Sequence, residues 1–275
     1  MRSRFQSLKI LASCHDLGGA NQLLYSTLST NTHYLLTGPA MQVAVNLNLS
    51  NMLAATDLDL SQFELVIVGS NKDFQLSDEL LKNAKSLGIK TVGYLDHWVN
   101  YGTRWSTLPD IIIVTDVYAF IKGFFVFGLR VHLHQNLYLK YLRNNFIKNK
   151  LRLDFTQALF IVQPFKNGYT HECGFNICVC KYVHRFLEKK RVNRILIRDH
   201  ATTNSDNCLS SLKGKYSNVT FLKSDWTHPL EEDIFQSEFI IGHDTYALYI
   251  AKKLGKRVRT MSRRRAWISP VYKSI

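Results

Sequence analysis

Short apolar runs rich in β-branched residues alternate along this 275-residue chain with longer amphipathic segments. This alternation is typical of parallel β-sheets whose strands are joined by crossover helices. Helices are expected at Ala20–Ser29 and Leu76–Leu87, and Gly88 then provides a stop signal. The strands expected in the first half are Lys9–Cys14, His33–Leu36, Leu65–Gly69, Lys90–Tyr94, Ile111–Val114 and Arg130–His134.

The pattern restarts after a polar, basic stretch from Asn136 to Asp154, where no strand is expected. We therefore predict an α/β fold of two Rossmann-like domains, residues 1–145 and 146–275, with parallel sheets and a ligand cleft between them. One long sheet is the alternative. The elements expected in the second half are strands Leu159–Val162, Arg194–Ile197, Val219–Leu222, Phe239–Ile241 and Arg257–Thr260, and helices Phe175–Lys189 and Thr245–Leu254.

The formal net charge of +14 predicts an anionic partner, such as a phosphorylated substrate or a membrane surface. No zinc-finger, KH or RRM signature accompanies the charge, so nucleic acid is not expected. No apolar run reaches the roughly 18 residues of a membrane span, and we expect a cytoplasmic protein. Arg263–Arg265, followed by Trp267, suits contact with lipid headgroups at the inner face of the membrane. A solvated basic face is the alternative.

The cysteines are odd in number and irregularly spaced, unlike a secreted disulfide framework. A zinc cluster would need a second Cys-x-x-Cys pair, which the chain lacks, so no metal is expected. We expect buried thiols at all five positions, Cys14, Cys173, Cys178, Cys180 and Cys208.

Glycines and titratable residues follow the first expected strand, at the edge where parallel sheets bind ligands. Residues 15–20 read His-Asp-Leu-Gly-Gly-Ala and lead into a helix. Gly18 and Gly19 let a ligand approach the backbone, and a helix N-terminus favours an anion. His15 and Asp16 are expected to face the cleft. The dinucleotide fingerprint G-x-G-x-x-G is absent, and a glycine turn without a ligand is the alternative.

The stretch after the fourth expected strand concentrates chemically active side chains. A carboxylate beside a histidine can act as a general base or orient one, which makes Asp96 and His97 catalytic candidates. Arg104 could clamp a phosphate or carboxylate, and Trp98 or Tyr101 could stack on a base or sugar. The alternative is a polar loop that the tryptophan anchors to the core.

Two strand ends in the second half carry groups suited to phosphate binding. Residues 198–200 read Arg-Asp-His, and residues 242–245 read Gly-His-Asp-Thr before a helix. Thr245 is placed to cap that helix while neighbouring amides bind phosphate, with a plain cap as the alternative. In the first half, Asp116 is expected to cap a helix that begins near Val117.

These stretches together resemble bacterial GT-B proteins of surface-polysaccharide synthesis, a group with sialyl- and Kdo-transferases, CDP-glycerol glycerophosphotransferases and UDP-sugar 2-epimerases. Residues 96–101, Asp-His-Trp-Val-Asn-Tyr, are similar to a stretch of uncharacterised polysaccharide-biosynthesis proteins. Many such transferases have Arg-x-His-Pro and Gly-x-x-Ser/Thr-x-x-x-x-x-Ala stretches, which residues 198–201 and 242–251 resemble. Ala201 stands where the relatives have proline.

The resemblance implies a glycosyltransferase that moves a sugar from a nucleotide-activated donor to a surface-polysaccharide or glycolipid acceptor, without metal or other cofactor. The base would be Asp96 or His97, with His15 next. In relatives the histidine and the hydroxyl residue hold the donor phosphate, which gives those roles to His200 and Thr245. The full set implied to bind donor or substrate is Gly18, Gly19, Trp98, Tyr101, Arg104, Arg198, His200, Gly242, His243 and Thr245.

Two other functions fit the same pattern. A nucleotide-sugar hydrolase or epimerase would use the same fold, and the length of the chain suits it. A non-catalytic GT-B module of a polysaccharide-assembly complex would fit the short second half and the missing proline at Ala201.

Overall fold

The chain forms two compact units, an N-terminal unit of Met1–Tyr141 and a C-terminal unit of Leu142–Ile275. The computed structural model describes residues 8–28, 31–69, 75–96, 98, 101–148, 156–162, 179–199, 205–225, 227–242 and 245–261. The division falls in the same helix as the expected boundary between residues 145 and 146. The roles given to the two halves stay predictions.

The described part of the N-terminal unit contains one parallel sheet of six strands, in the order β2-β1-β3-β4-β5-β6. The order reverses between β1 and β3, and ligands bind beyond the carboxyl ends of strands at such a switch point. The strands are β1 Ile10–Cys14, β2 Thr32–Leu36, β3 Leu65–Gly69, β4 Lys90–Leu95, β5 Ile111–Val114 and β6 Val131–Leu133. The helices are α1 Leu17–Thr27, α2 Ala40–Asn46, α3 Gln75–Ser86, α4 Val117–Phe127 and α5 Leu137–Lys148.

The described part of the C-terminal unit contains a second parallel sheet, of five strands in the order β11-β10-β7-β8-β9. Here the order reverses between β7 and β10. The strands are β7 Gln157–Ile161, β8 Arg194–Arg198, β9 Thr220–Ser224, β10 Phe239–Gly242 and β11 Arg257–Thr260. The helices are α6 Val179–Lys189, α7 Asp206–Lys215, α8 Leu230–Gln236 and α9 Tyr246–Lys253.

Burial explains why the central strands read as continuous apolar runs. Every residue of β1, β3 and β7 is buried, because helices cover both faces of a parallel sheet and leave no polar face. Parallel pairing brings the carboxyl ends of these strands to the same edge, for example Cys14 beside Leu36. The predicted fold class, two Rossmann-like domains of the GT-B type with parallel sheets, is confirmed.

All eleven expected strands are present in the described ranges, and their ends lie within two residues of the expected ones. Gly88, two residues after the end of α3, has a φ of +71°, which confirms its stop signal. The pattern did not predict α2, α5 or α7. In α5 the buried stripe of Tyr138, Leu139 and Leu142 lies among basic and amide side chains, which obscure its period.

The expectation of thiols is wrong for one pair of cysteines. Cys180 at the start of α6 and Cys208 in α7 form a disulfide, with their Cα atoms 5.8 Å apart. Both lie in the core of the C-terminal unit, among side chains such as Phe160 and Ile197. Cys14 is a buried thiol, as expected. Cys173 and Cys178 lie outside the described residues.

None of the helices within the described ranges combines the length and the apolar character needed to span a bilayer.

Gly242 ends β10 at a point where no other side chain fits. A Cβ atom built there would lie 3.0 Å from the carbonyl oxygen of Ile161 and 2.9 Å from Leu248 of α9. Because the first neighbour is backbone, we expect Gly242→Ala to lower the free energy of unfolding by about 1–3 kcal/mol, measured by urea denaturation. Gly214→Ala is the matched control, since nothing lies within 4 Å of its Cβ position; a change there equal to that at Gly242 would refute the expectation.

Candidate functional site

The carboxyl edge of the N-terminal sheet holds His15 in a defined position. The side chain follows β1, and its Nδ1 atom lies 2.9 Å from the hydroxyl oxygen of Thr37, which follows β2. The main-chain carbonyl of His15 accepts a hydrogen bond from the amide of Ala40, at the start of α2, at 2.9 Å. The contact with Thr37 therefore orients the half-buried imidazole, and the bond from Ala40 fixes the backbone of His15, beside the β1–β3 switch point.

The carboxylate of Asp96 lies over the first turn of α1. A Cβ atom built on Gly18 would be 2.5 Å from its Oδ2 atom, so the carboxylate occupies the space that any larger residue at position 18 would fill. The partial positive charge of a helix N-terminus stabilises a carboxylate there. The structure thus brings together Asp96 and the Gly18 turn, which the sequence placed in two separate stretches.

Cys14 lies beneath this edge and is not a candidate nucleophile. Burial raises the pKa of its thiol well above the ordinary value, and the nearby charges of Asp96 and Asp16 raise it further. The Sγ atom lies 3.4 Å from the main-chain oxygen of Asp16. Only the thiolate is strongly nucleophilic, so the protonated thiol of Cys14 is not expected to react. Its buried side chain packs beneath the candidate site.

Trp98 anchors the loop after β4 to α4. Its side chain is 2% exposed, and its indole Nε1 donates to Oδ2 of Asp116 at 2.9 Å. The other carboxylate oxygen of Asp116 accepts from the amide of Ala119 at 2.8 Å and caps α4. The predicted cap is confirmed, and Trp98 has the anchoring position that was the alternative to a stacking surface.

Tyr101 is also covered by protein. It is 3% exposed, its ring stacks on Phe127 with centroids 5.8 Å apart, and the ammonium of Lys122 lies 5.5 Å from its centroid. Lys122 also donates to the main-chain oxygen of Trp98. Burial, followed by the charge of Asp116, raises the pKa of Tyr101, while the nearby charge of Arg104 opposes the rise. Stacking of Trp98 or Tyr101 on a ligand stays a prediction, and this packing does not favour it.

A series of hydrogen bonds between polar side chains beneath this edge was not predicted from the sequence. Thr115, directly after β5, donates to the side-chain oxygen of Gln22 in α1 at 3.0 Å and accepts from the amide of Asn136 at 3.2 Å. Asn136 also accepts from the backbone N–H of Leu139 at 2.8 Å and so caps α5. An asparagine before an apolar stripe was the signal available for that cap. These hydrogen bonds fix α1, and with it the turn that contains Gly18, against the end of β5.

Arg198 is buried in an ion pair, so its role in donor binding stays a prediction, and this packing does not favour it. Its side chain is 6% exposed, and its Nη1 atom is 2.5 Å from a carboxylate oxygen of Asp233, which is 4% exposed. The same guanidinium donates to the main-chain oxygen of His228 at 2.7 Å and to the hydroxyl of Ser224 at 3.2 Å. Arg198 therefore joins β8 to β9 and α8.

The end of β10 has the predicted local structure. The Thr245 hydroxyl accepts from the backbone N–H of Leu248 at 3.2 Å, which confirms the predicted cap of α9. Gly242 ends β10, a strand at the switch point of the C-terminal sheet, and Thr245 follows it. The predicted site residues His97, His200 and His243 lie outside the described residues.

Within the described ranges no group of three or more His, Cys, Asp or Glu residues is arranged to hold a metal ion.

Several solved structures with a similar fold are UDP-GlcNAc 2-epimerases or complexes with UDP. The chain is similar to UDP-GlcNAc 2-epimerase from Neisseria meningitidis bound to UDP-GlcNAc, with a TM-score of 0.67, 12% identity and coverage of 94% of this chain and 83% of that one. UDP-GlcNAc 2-epimerase from Methanocaldococcus jannaschii has a TM-score of 0.63 and 14% identity, over 94% of this chain and 84% of that one. Anabaena HepE in complex with UDP and glucose has a TM-score of 0.56 and 9% identity, over 92% of this chain and 80% of that one.

No protein-family model and no curated protein sequence matches the chain. At these identities the likeness establishes the fold, and it extends over both units.

The Arg198–Asp233 pair gives a direct test of the structural role of Arg198. Removing one member of a buried ion pair leaves an uncompensated charge, so Arg198→Met should lower the free energy of unfolding by about 3–5 kcal/mol. The double variant Arg198→Met/Asp233→Leu should recover much of that loss, and urea denaturation of the variants measures both effects. A stable Arg198→Met protein that had lost only nucleotide binding would instead restore the phosphate-binding interpretation.

Proposed function

We propose that this chain is an enzyme that binds a UDP-sugar and acts on its sugar moiety. The observation that carries the proposal is the edge of the N-terminal sheet, where the Asp96 carboxylate lies over the Gly18 turn and His15 is fixed by Thr37. Titratable groups at a switch point are where an α/β enzyme carries out its chemistry. The similar proteins named above, which bind UDP or UDP-GlcNAc, support the same class of substrate.

In this proposal Asp96 is the general base and His15 the second candidate. A half-buried carboxylate can take a proton from a hydroxyl or a carbon as the bond between the sugar and the diphosphate weakens. The turn at Gly18 supplies backbone N–H groups and the positive end of α1. His97 is proposed as a partner of Asp96 on the basis of its adjacent position in the sequence.

Two reactions are compatible with such a base. Epimerisation or hydrolysis needs no second sugar substrate, and the fold likeness to UDP-GlcNAc 2-epimerases favours this class at least as well as transfer. Glycosyl transfer to a polysaccharide or lipid-linked acceptor is the second candidate, and the formal charge of +14 suits an anionic acceptor. We give epimerisation or hydrolysis first place because two of the similar structures named above are UDP-GlcNAc 2-epimerases.

The nucleotide is proposed to bind at the end of β10 in the C-terminal unit. Thr245 and the backbone N–H groups at the start of α9 would bind its phosphates, together with His243, two residues before Thr245 in the sequence, and His200, two residues after the end of β8. No metal or other cofactor is part of the proposal. A cytoplasmic location and contact of the basic Arg263–Arg265 tail with the membrane remain proposals that rest on sequence alone.

The first test is a thermal-shift screen of the full chain against UDP, CDP, GDP, CMP and their sugar conjugates. A ligand at 100 times its dissociation constant stabilises a protein by about 2.7 kcal/mol, which raises the melting temperature by a few degrees. We expect a selective shift with UDP and UDP-GlcNAc that Thr245→Val reduces. No shift with any nucleotide would refute the proposal in favour of a non-catalytic module.

The proposed role of Asp96 as general base is tested by substituting Gly18, which lies against its carboxylate, and by substituting Asp96 itself. Gly18→Ala should keep or slightly raise the stability, because alanine favours a helix by up to about 1 kcal/mol, yet it should slow turnover by about 10²-fold, because the added methyl group displaces the carboxylate. Asp96→Asn should slow turnover by roughly 10²–10⁴-fold. Both are measured by NMR on UDP-GlcNAc without an acceptor.

The same assay separates the two reactions. Epimer or free sugar that forms without an acceptor supports the first reaction, whereas a protein that binds UDP-GlcNAc and leaves it intact until an acceptor is added supports transfer. Gly214→Ala, at an exposed position of α7, is the matched control and should turn over at the wild-type rate. Full activity in Gly18→Ala and Asp96→Asn would rule out this edge as the catalytic one.

A further inference from the structure

Helix α4 presents its large apolar side chains to the outside. The residues it buries are small, Ala119 and Gly123, and an added Cβ at Gly123 would be 3.3 Å from Val131 of β6. Phe125 is 84% exposed, and Leu129 in the turn after the helix is 86% exposed. An amphipathic surface helix of a globular protein has the opposite arrangement, with its large apolar residues inward.

The exposed large apolar residues lie along α4 and the turn after it, and four of them share one helix face. Val117, Ile121, Phe124 and Phe125 recur at i, i+4, i+7 and i+8, the spacing of a single helix face. We call the exposed set the α4 patch, which comprises Val117, Ile121, Phe124, Phe125, Val126 and Leu129. A group of exposed large apolar residues of this size marks a surface that contacts another apolar phase or molecule.

The exposed charges next to the patch are basic. Within the described residues 117–148 the sequence contains no Asp or Glu, and its basic residues are Lys122, Arg130, Lys140, Arg143 and Lys148. Asp116, which directly precedes the patch, is half-buried, and its carboxylate accepts hydrogen bonds from Trp98 and Ala119. Arg130 directly follows the most exposed leucine and is itself exposed, as are His132 and His134 of the same edge. A partner for this surface must therefore offer an apolar layer beside negative charge.

An anionic bilayer has both properties. Apolar and aromatic side chains enter the boundary between headgroups and acyl chains, and neighbouring Lys and Arg residues attract anionic lipids. A second copy of the chain fits less well, because a symmetric contact through the patch would place one Arg130 near another. We propose that the α4 patch docks the protein on an anionic membrane surface, with Phe124, Phe125 and Leu129 entering the lipid and Arg130 contacting headgroup phosphates.

The surface differs from the basic tail near Arg263, and the proposal does not depend on which reaction the enzyme catalyses. The test is sedimentation of the full chain with vesicles made of equal parts phosphatidylcholine and phosphatidylglycerol. We expect binding that phosphatidylcholine vesicles alone do not support. Phe125→Ser/Leu129→Ser should weaken the partition coefficient at least tenfold, and Arg130→Glu should weaken it severalfold at low salt.

The controls make each outcome decisive. Both substituted apolar residues are exposed, so the double variant should unfold at the wild-type urea concentration and give the wild-type thermal shift with UDP. Val45→Ser, at an exposed position of α2, is the matched control and should bind vesicles normally. Absence of vesicle binding by the wild type, or equal binding by the double variant, overturns the proposal. A wild-type dimer that the double variant dissociates, without vesicle binding, assigns the patch to self-association.

Discussion

The carboxylate of Asp116 is the contact on which the candidate site of the N-terminal unit depends. One oxygen caps α4 and the other accepts from the indole of Trp98, so a single side chain fixes both the helix and the loop that follows β4. Asp96 lies two residues before Trp98. Packing around Trp98 therefore helps to set the position of the candidate base over α1.

Local signals account for what the sequence predicted well. Each strand is a short apolar run with clear ends, and the caps by Asp116 and Thr245 involve residues three apart in the chain. The contacts that the sequence did not predict join residues far apart in the chain. Arg198 pairs with Asp233, 35 residues away, and Cys180 with Cys208, 28 away. A strand-end arginine is equally consistent with a phosphate site and an internal ion pair, and only the fold brings in the carboxylate that decides between them.

The site was predicted in part for the same reason. The edge of a parallel sheet follows from strand order, which placed His15, Gly18 and Asp96 among the candidates. The direction of a side chain does not follow from strand order. Trp98 and Tyr101 turn into the protein because α4 offers them a carboxylate and an aromatic surface. The apolar run of α4 likewise gave no sign of which residues would face outward, since nearly every residue in it is apolar.

The buried thiol of Cys14 gives the N-terminal unit a built-in reporter of its own opening. In the closed structure the thiol is inaccessible to solvent and its raised pKa keeps it protonated, so an alkylating reagent reacts with it only when β1 and α1 separate. Its modification rate at a defined pH therefore measures how often the floor of the candidate site is exposed. Peptide mapping assigns the signal to position 14, and a ligand that closes the edge of the sheet would slow it without touching the sulfur.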